Sequence, residues 1–522
     1  GGKNGHYTEA RAYDTQTYAD VMLNSNKTFG DDWSLTANVG ASLNNIKTDE
    51  LSYRGPIQEN GLPNIFNVFD LDDTKKRAEK VGWHDQTQSV FASVEVGWKQ
   101  MLYLTATGRN DWASQIAGSP SKSFFYPSVG LSWVPSSTWD LGNAFSYLKL
   151  RGSIASVGLP FPRFLTTPTY EYDATGKIWK DKTHYPIGDL KPERTITYEV
   201  GIDARLWKNI SLSASWYSAD TKNQTFDPAL PPSSSYTTIY LQTGHVRNTG
   251  VELSLGYSNQ WRDFGWSSNF TFSWNKNEIV DLASGALNPV TGQPLNLSEL
   301  DIKGLGKAKY ILKQGGTLGD LYTTSDLKFN DNGYVEVDKA GNLLLTDEGE
   351  QIYLGSVFPS ENLAWRNDFR YKGINLGLLF TGRIGGICYS ATQANMDLYG
   401  VSEVSAAARD AGGVLINGRE MVDAQKWYQA IGSQSGLPQY YTYSATNFRL
   451  QELSLGYTLP RKWFRNKMVL TVSFVGRNLW MIYCKAPFDP EAVASTGLSY
   501  QGIDYFMMPS LRSLGFNVKF EF

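Results

Sequence analysis

The sequence predicts an all-β protein: a transmembrane antiparallel β-barrel, with about fifteen strands in this chain. Three observations predict it. Runs of about 10–14 residues alternate strictly between apolar and polar side chains, as in "WSLTANVGASLNNI" (33–46), whereas strands of water-soluble proteins are mostly about 5–6 residues long. About 9–11 tilted residues are what a strand needs to cross a bilayer. Short polar turns and long irregular segments also alternate along the chain, the pattern of a barrel with short turns on one side of a membrane and long loops on the other. No stretch approaches 18 consecutive apolar residues, so a helical membrane protein is excluded.

Composition agrees. The 522 residues exceed one ordinary core, and 16 Trp, 30 Tyr and 25 Phe beside 49 Gly suit strands, turns and aromatic girdles. A formal net charge of −3 carries no nucleic-acid footprint. Cys388 and Cys484 show neither a disulfide framework nor metal-ligand spacing and read as free.

In order, strands are expected at roughly 15–28, 33–46, 84–98, 101–109, 124–134, 146–157, 193–206 and 209–223. They continue at 246–260, 266–277, 361–371, 374–386, 446–459, 467–481 and 509–522. Trp33, Leu35, Ala37, Val39, Ala41 and Leu43 share one face of the second strand, with Ser34, Thr36, Asn38, Gly40, Ser42 and Asn44 on the other. Such an apolar exterior and polar interior make a pore or plugged channel. Trp33, Trp98, Trp133, Trp216 and Trp274 are expected in the interfacial girdles. Short turns fall at 30–32, 99–100, 207–209, 261–265, 372–373 and 461–466. Long segments fall at about 47–83, 109–123, 158–192, 224–245, 278–360, 388–445 and 482–508.

Fifteen is odd, and single-chain bacterial barrels have an even number of strands. The opening "GGKNGHYTEA" reads as the inside of a loop rather than a signal peptide. Together these lead to the expectation that earlier strands belong to another part of the protein. The last residues alternate Leu514, Phe516, Val518, Phe520 and Phe522 with polar or small ones. That ending resembles the C-terminal signal read by the outer-membrane assembly machinery.

No residue group reads as catalytic. His6, His84, His184 and His245 lie in or beside four different predicted loops, without a His/Ser/Asp or His-x-x-His arrangement. The acidic segment 329–349 fails as a calcium loop: counting from Asp338, Ala340 stands where an oxygen ligand is needed and Leu343 where Gly is needed. Asp331-Asn332-Gly333 reads more simply as a hairpin turn. No cofactor or metal is expected.

Substrate capture at the mouth is the better candidate chemistry, since sugars stack on aromatic faces and bond to Asp, Asn and Arg. The predicted loops offer Arg109, Asn110, Asp111 and Trp112, then Tyr236 and Tyr240, then Tyr399, Tyr440 and Tyr441. For any one of them the alternative is a packing role. Segments 278–360 and 388–445 are too long for plain connections, and "SEVSAAARDAGGVL" (402–415) has room for short helices.

Several stretches resemble TonB-dependent outer-membrane transporters, and among them the SusC/RagA-type family of Bacteroidetes. They are "LTATGRNDWAS" (104–114), "FFYPSVGLSWVPS" (124–136), "LKPERTITYEVGIDARLW" (190–207) and "VRNTGVELSLGY" (246–257). More diagnostic are "FRLQELSLGYTLP" (448–460), "VGRNLWM" (475–481), "FDPEA" (488–492) and "MPSLRSLGFNVKFEF" (508–522). The resemblance covers essentially the whole chain. It implies that this is the C-terminal part of a barrel of about 22 strands, with the N-terminal plug-bearing portion outside the chain. It further implies import of oligosaccharides, fructans or peptides across the outer membrane of a Gram-negative bacterium, energised through TonB, with a SusD-like lipoprotein as lid. The rival readings are a passive porin-like channel and a soluble β-rich glycan-binding protein.

Overall fold

In the computed structural model, residues 4–61, 65–142, 144–166, 171–173, 178–180, 184–185, 190–226, 238–282, 293, 297–347, 349–495, 497 and 500–522 are described. Among the described residues the main sheet has fifteen antiparallel strands in chain order without a crossover. They are β1 (His6–Phe29), β2 (Trp33–Pro56), β3 (Arg77–Trp98), β4 (Leu102–Ala113), β5 (Phe124–Trp133), β6 (Phe145–Leu159), β7 (Glu193–Leu206) and β8 (Ile210–Phe226). Then come β9 (Leu241–Trp261), β10 (Phe264–Asp281), β11 (Glu361–Tyr371), β12 (Ile374–Ile384), β13 (Asn447–Thr458), β14 (Val469–Cys484) and β15 (Ser513–Glu521). The longest connections, 57–76, 160–192, 227–240, 282–360, 385–446 and 485–512, all leave the same end of the sheet.

Several strands run further than their periodicity indicates. β1 and β2 stay paired from Phe29↔Trp33 to His6↔Pro56. Their 24 residues make about 80 Å of strand at ~3.3 Å per residue. The connection after β2 is therefore 57–76 rather than 47–83. Beyond the apolar stretch both faces become polar, so the period fades while the backbone ladder continues.

The two faces differ as expected. Across β9 and β10, Val251↔Trp274, Leu253↔Phe272 and Leu255↔Phe270 share one face, while Glu252↔Ser273, Ser254↔Thr271 and Gly256↔Asn269 share the other. Among the described residues no protein layer covers the apolar face: Val90, Leu104, Leu131 and Leu455 each remain about half exposed. A row of this kind needs a lipid neighbour to be stable.

Aromatic belts bound that face. At the short-turn end Trp33 meets Trp98 at 6.3 Å, Tyr257 meets Trp266 at 5.0 Å and Trp266 meets Phe369 at 6.1 Å. A second belt lies where Trp216 and Trp274 flank Val251 in one row. These two tryptophans sit mid-strand, because the strands continue past the apolar band. From Trp266 to Trp274 the strand rises about 26 Å, or roughly 19 Å along the normal at ~45° tilt, close to the ~25 Å of a barrel's apolar band. Inside it, the Trp266 indole donates to Asn367 Oδ1 (3.1 Å) and the Trp365 indole to Ser268 Oγ (2.9 Å), so neither N–H is left unpaired in an apolar medium.

The conventional hydrophobic core lies in the long connections. Those between β10 and β11, β12 and β13, and β14 and β15 jointly bury Tyr310, Leu321, Tyr389, Ile431, Leu437 and Ile503. The first folds as a four-stranded sheet (Glu299–Leu305, Ala308–Lys313, Asp320–Thr323, Ile352–Ser356). The second supplies helices α1 (Ala391–Leu398), α2 (Glu403–Asp410) and α3 (Ala424–Ile431). Each helix starts on a side-chain cap: Ser390, Ser402 and Asp423 accept from the N–H of Gln393, Ser405 and Lys426. Helix α2 is the one that 402–415 led us to expect.

The four-stranded sheet sits against the inner mouth of the strand layer. Leu300 and Leu312 pack with Phe226, Val246 and Ile279. Val246 and Ile279 are on the polar side of β9 and β10, in step with Asn248 and Asn277. The predicted turn at Asp331-Asn332-Gly333 is present, with a bridge between Phe329 and Val335 and φ of 76° at Gly333. Asp338 closes a second turn: its Oδ1 accepts from the N–H of Ala340 and of Asn342, each at 2.8 Å. These bonds, that from Asn342 foremost, hold its carboxyl below the ordinary value.

Candidate functional site: inner wall and folded cap

Arg109, Asn110, Asp111 and Trp112 lie on β4 rather than in a loop. A strand sends successive side chains to opposite faces, so these four cannot converge on one ligand. Arg109 and Asp111 join the polar face with Ser89, Phe91 and Tyr126. Arg109 Nε donates to Asp111 Oδ1 (2.7 Å), its Nη2 donates to Ser89 Oγ (2.8 Å), and the guanidinium stands 5.7 Å over the Phe91 ring. Tyr126 donates to the other Asp111 oxygen. The group is a closed network that braces three strands. Asn110 and Trp112 face outward, Trp112 with 45% of its surface exposed.

The tyrosines divide as well. Tyr236 lies outside the described residues, and Tyr240 stands half-buried just before β9. Tyr399, at the C-terminal end of α1, is 76% exposed. Tyr440 packs edge-on against Trp427 at 6.1 Å, and burial, with Asp326 nearby, pushes its phenol up to about 12. Tyr441 belongs to the cap core. Its hydroxyl donates to Asp397 Oδ2 at 3.0 Å, and burial together with that carboxylate raises its pKa. Asp397 is buried, with Gln393 Nε2 as its other donor at 2.9 Å. Tyr441→Phe is expected to cost about 1–3 kcal/mol by depriving Asp397 of a donor, read as earlier proteolysis of 385–446. Tyr399→Ala should leave proteolysis unchanged.

Sequence reading missed the charged ladders of the inner wall. Arg151 pairs with Glu199 and lies 3.5 Å from Asp203. Arg366 reaches Asp368 at 3.0 Å and Glu452 at 3.6 Å, and Arg477 meets Glu452 at 3.2 Å. The available signal was a charge of each sign recurring on the polar face of neighbouring strands.

Two of the quoted motifs meet in space. Arg449, from "FRLQELSLGYTLP", is buried and grips Asp489 of "FDPEA" with two nitrogens, at 2.9 and 3.2 Å. It also lies 3.2 Å from Glu491 and donates to Asn447 Oδ1 at 3.1 Å. This clamp fastens connection 485–512 to the top of β13.

With that geometry established, comparison with known proteins is decisive. Residues 2–358 match the family described as "TonB dependent receptor-like, beta-barrel". The chain belongs to this family. The receptor barrel is 24% identical over 565 residues to TonB-dependent receptor P3 of Formosa agariphila, covering 99% of this chain and 54% of that protein. It is 20% identical over 343 residues to TonB-dependent receptor SusC of Bacteroides thetaiotaomicron, covering 64% of this chain and 32% of SusC. Among solved structures, the RagAB peptide importer in its closed-closed state superposes with a TM-score of 0.74 at 19% identity. That match covers 98% of this chain and 56% of the RagAB chain. The receptor barrel thus spans about half the length of the curated relatives it matches.

Proposed function

We propose that this chain is the barrel portion of an outer-membrane active importer of SusC type, taking up oligosaccharides or peptides in a Gram-negative bacterium of the Bacteroidetes. The observation that carries the reading is the inversion of polarity with a folded cap: apolar side chains outward, charged ladders inward, and three connections sharing one core at the mouth. Short turns face the periplasm and long connections the exterior, as in bacterial barrels. The chain performs no covalent chemistry. Energy reaches it through TonB acting on a plug in the N-terminal portion of the same transporter. Further strands, seven if the whole barrel has about 22, complete the wall. A SusD-like lipoprotein rests on the cap, where Tyr399, Val401 and Val404 are largely exposed. The Leu514, Phe516, Val518 and Phe520 face of β15, with the terminal Phe522 after it, serves as the assembly signal and then faces lipid.

Intact mass measurement of what co-purifies with the chain from detergent-solubilised outer membranes tests this. A plug-bearing N-terminal portion and a SusD-sized lipoprotein are expected. Recovery of the chain alone, conducting in a planar bilayer, would establish a passive pore instead.

A further inference from the structure

We propose a phosphate-ester site on the outer face of the rim, in a notch between β5 and β6. Pro127 opens the notch. Proline has no N–H to give to a ladder, and the β5–β6 pairing stops at Ser128↔Ala155. On either side the sheet continues upward: β4 stays with β5 to Asp111↔Phe124, and β6 stays with β7 to Leu159↔Glu193. Between the parted strands lies a cavity of about 420 Å³, whose lining includes Ser121, Ser123, Phe125, Ser156, Lys191 and Arg194. That volume is within the range of small-molecule sites.

The charge around it is uncompensated. Arg194 and Lys222 stand directly opposite each other on β7 and β8, and like charges so placed destabilise a sheet until an anion joins them. Register puts both on the outward side, in step with Val200 and Trp216. Lys191, Arg194 and Lys222 are exposed, and none of the three makes an ion pair within the described residues. The nearby carboxylates are engaged elsewhere. Asp220 is held by His245 Nε2 (2.7 Å) and Arg247 Nε (2.9 Å). Glu193 alternates to the inward side, and its Oε1 accepts from the Thr225 N–H at 2.8 Å.

The scaffold holds these cations in place. Ser156 Oγ accepts from Arg194 Nε at 2.8 Å, which leaves both Nη groups for a ligand. The Lys191 N–H donates to Gln242 Oε1 (2.6 Å), and Asn223 Nδ2 donates to the Pro192 carbonyl (3.3 Å). Segment 191–194 is thereby tied to β8 and β9.

Chemistry and position select the ligand. A phosphate monoester carries about −1.5 to −2 at neutral pH and three strong acceptor oxygens, which suits three cations. A carboxylate, with a single charge, leaves two of them unmatched. Lys222 lies six residues beyond Trp216 on β8, about 14 Å above the second belt at ~3.3 Å per residue and ~45° tilt. A phosphorylated, sugar-bearing headgroup of an outer-leaflet lipid reaches that level, and a soluble sugar phosphate carries the same group. The outward face favours the lipid.

The test uses the full-length receptor purified in detergent. Native mass spectrometry counts retained phosphorylated lipid. After delipidation, inorganic phosphate, glucose 6-phosphate and acetate are titrated by calorimetry. The main variant combines Lys191→Gln with Lys222→Gln, since neither ammonium has a partner whose loss would unfold the chain; Arg194→Gln is the second. Phosphate and its ester are expected to bind about tenfold more weakly to either variant, and acetate to bind none of the three proteins. A phosphorylated lipid retained by the wild type and lost from the variants supports the site with lipid as its source. Glucose 6-phosphate binding without retained lipid supports it with a soluble source. Equal phosphate binding by wild type and both variants would overturn the site, as would acetate binding as tight as phosphate. Absence of both phosphate binding and retained lipid would overturn it too, and leave the import reading intact.

Discussion

Arg449→Ala is expected to lower the stability of the cap by about 3–5 kcal/mol, the usual cost of removing one partner from a buried ion pair. Arg449 is 4% exposed and Asp489 11% exposed at the side chain, so water replaces the lost guanidinium only in part. The substitution leaves Asp489 and Glu491 without their opposite charge and the Asn447 amide oxygen without the guanidinium donor. Circular dichroism melts of the receptor in detergent should show the loss, with early cleavage inside 485–512. Arg449→Met combined with Asp489→Leu should recover part of it, because an apolar pair leaves no charge unpaired.

The same clamp has a defined pH dependence. Burial alone would raise the Asp489 carboxyl, but hydrogen bonds from Arg449, from Ser510 and from the Glu491 N–H outweigh it and hold the group below its ordinary 3.8. A carboxyl depressed in the folded state stabilises above its unfolded pKa, and that contribution disappears as pH falls through the folded value. The difference between wild type and Arg449→Ala should therefore be constant from about pH 5 to pH 8 and shrink below about pH 4.

Leu255→Arg is the second large effect. Leu255 lies on the outward face of β9, paired with Phe270 between the two aromatic belts. An arginine at the bilayer midplane of a barrel costs about 2–4 kcal/mol. Ser254→Arg, one residue away, points the same charge at the inner wall, where Glu252 and Asp203 are near in register, and should cost well under 1 kcal/mol. Folding titrations into lipid vesicles measure both. Equal costs would mean that the outward face does not meet lipid.

The sequence carried the membrane part of the fold most clearly. The alternation in 33–46 marks β2 and its lipid face residue by residue, because two solvents impose period two. It falls silent in 6–14 and 47–56, where β1 and β2 remain paired in water and neither face needs to be apolar. For the same reason Arg109–Trp112 read as a loop: polar residues above the membrane look alike in strand and coil. Helix α2 was visible through Ser402 and the alanines after it. Helices α1 and α3 were not, since their stability comes from packing into one core with Tyr310, Leu321 and Ile503, far from them in sequence. The Arg449–Asp489 clamp was present in two quoted motifs, but only the folded chain brings positions 40 residues apart together.

The most direct test of the account is uptake of labelled oligosaccharides and peptides by cells carrying or lacking the whole receptor, with and without a protonophore. Uptake that requires the receptor and collapses when the proton-motive force is dissipated is the predicted result. Receptor-dependent uptake that persists unchanged under the protonophore would contradict it and make this wall part of a passive pore.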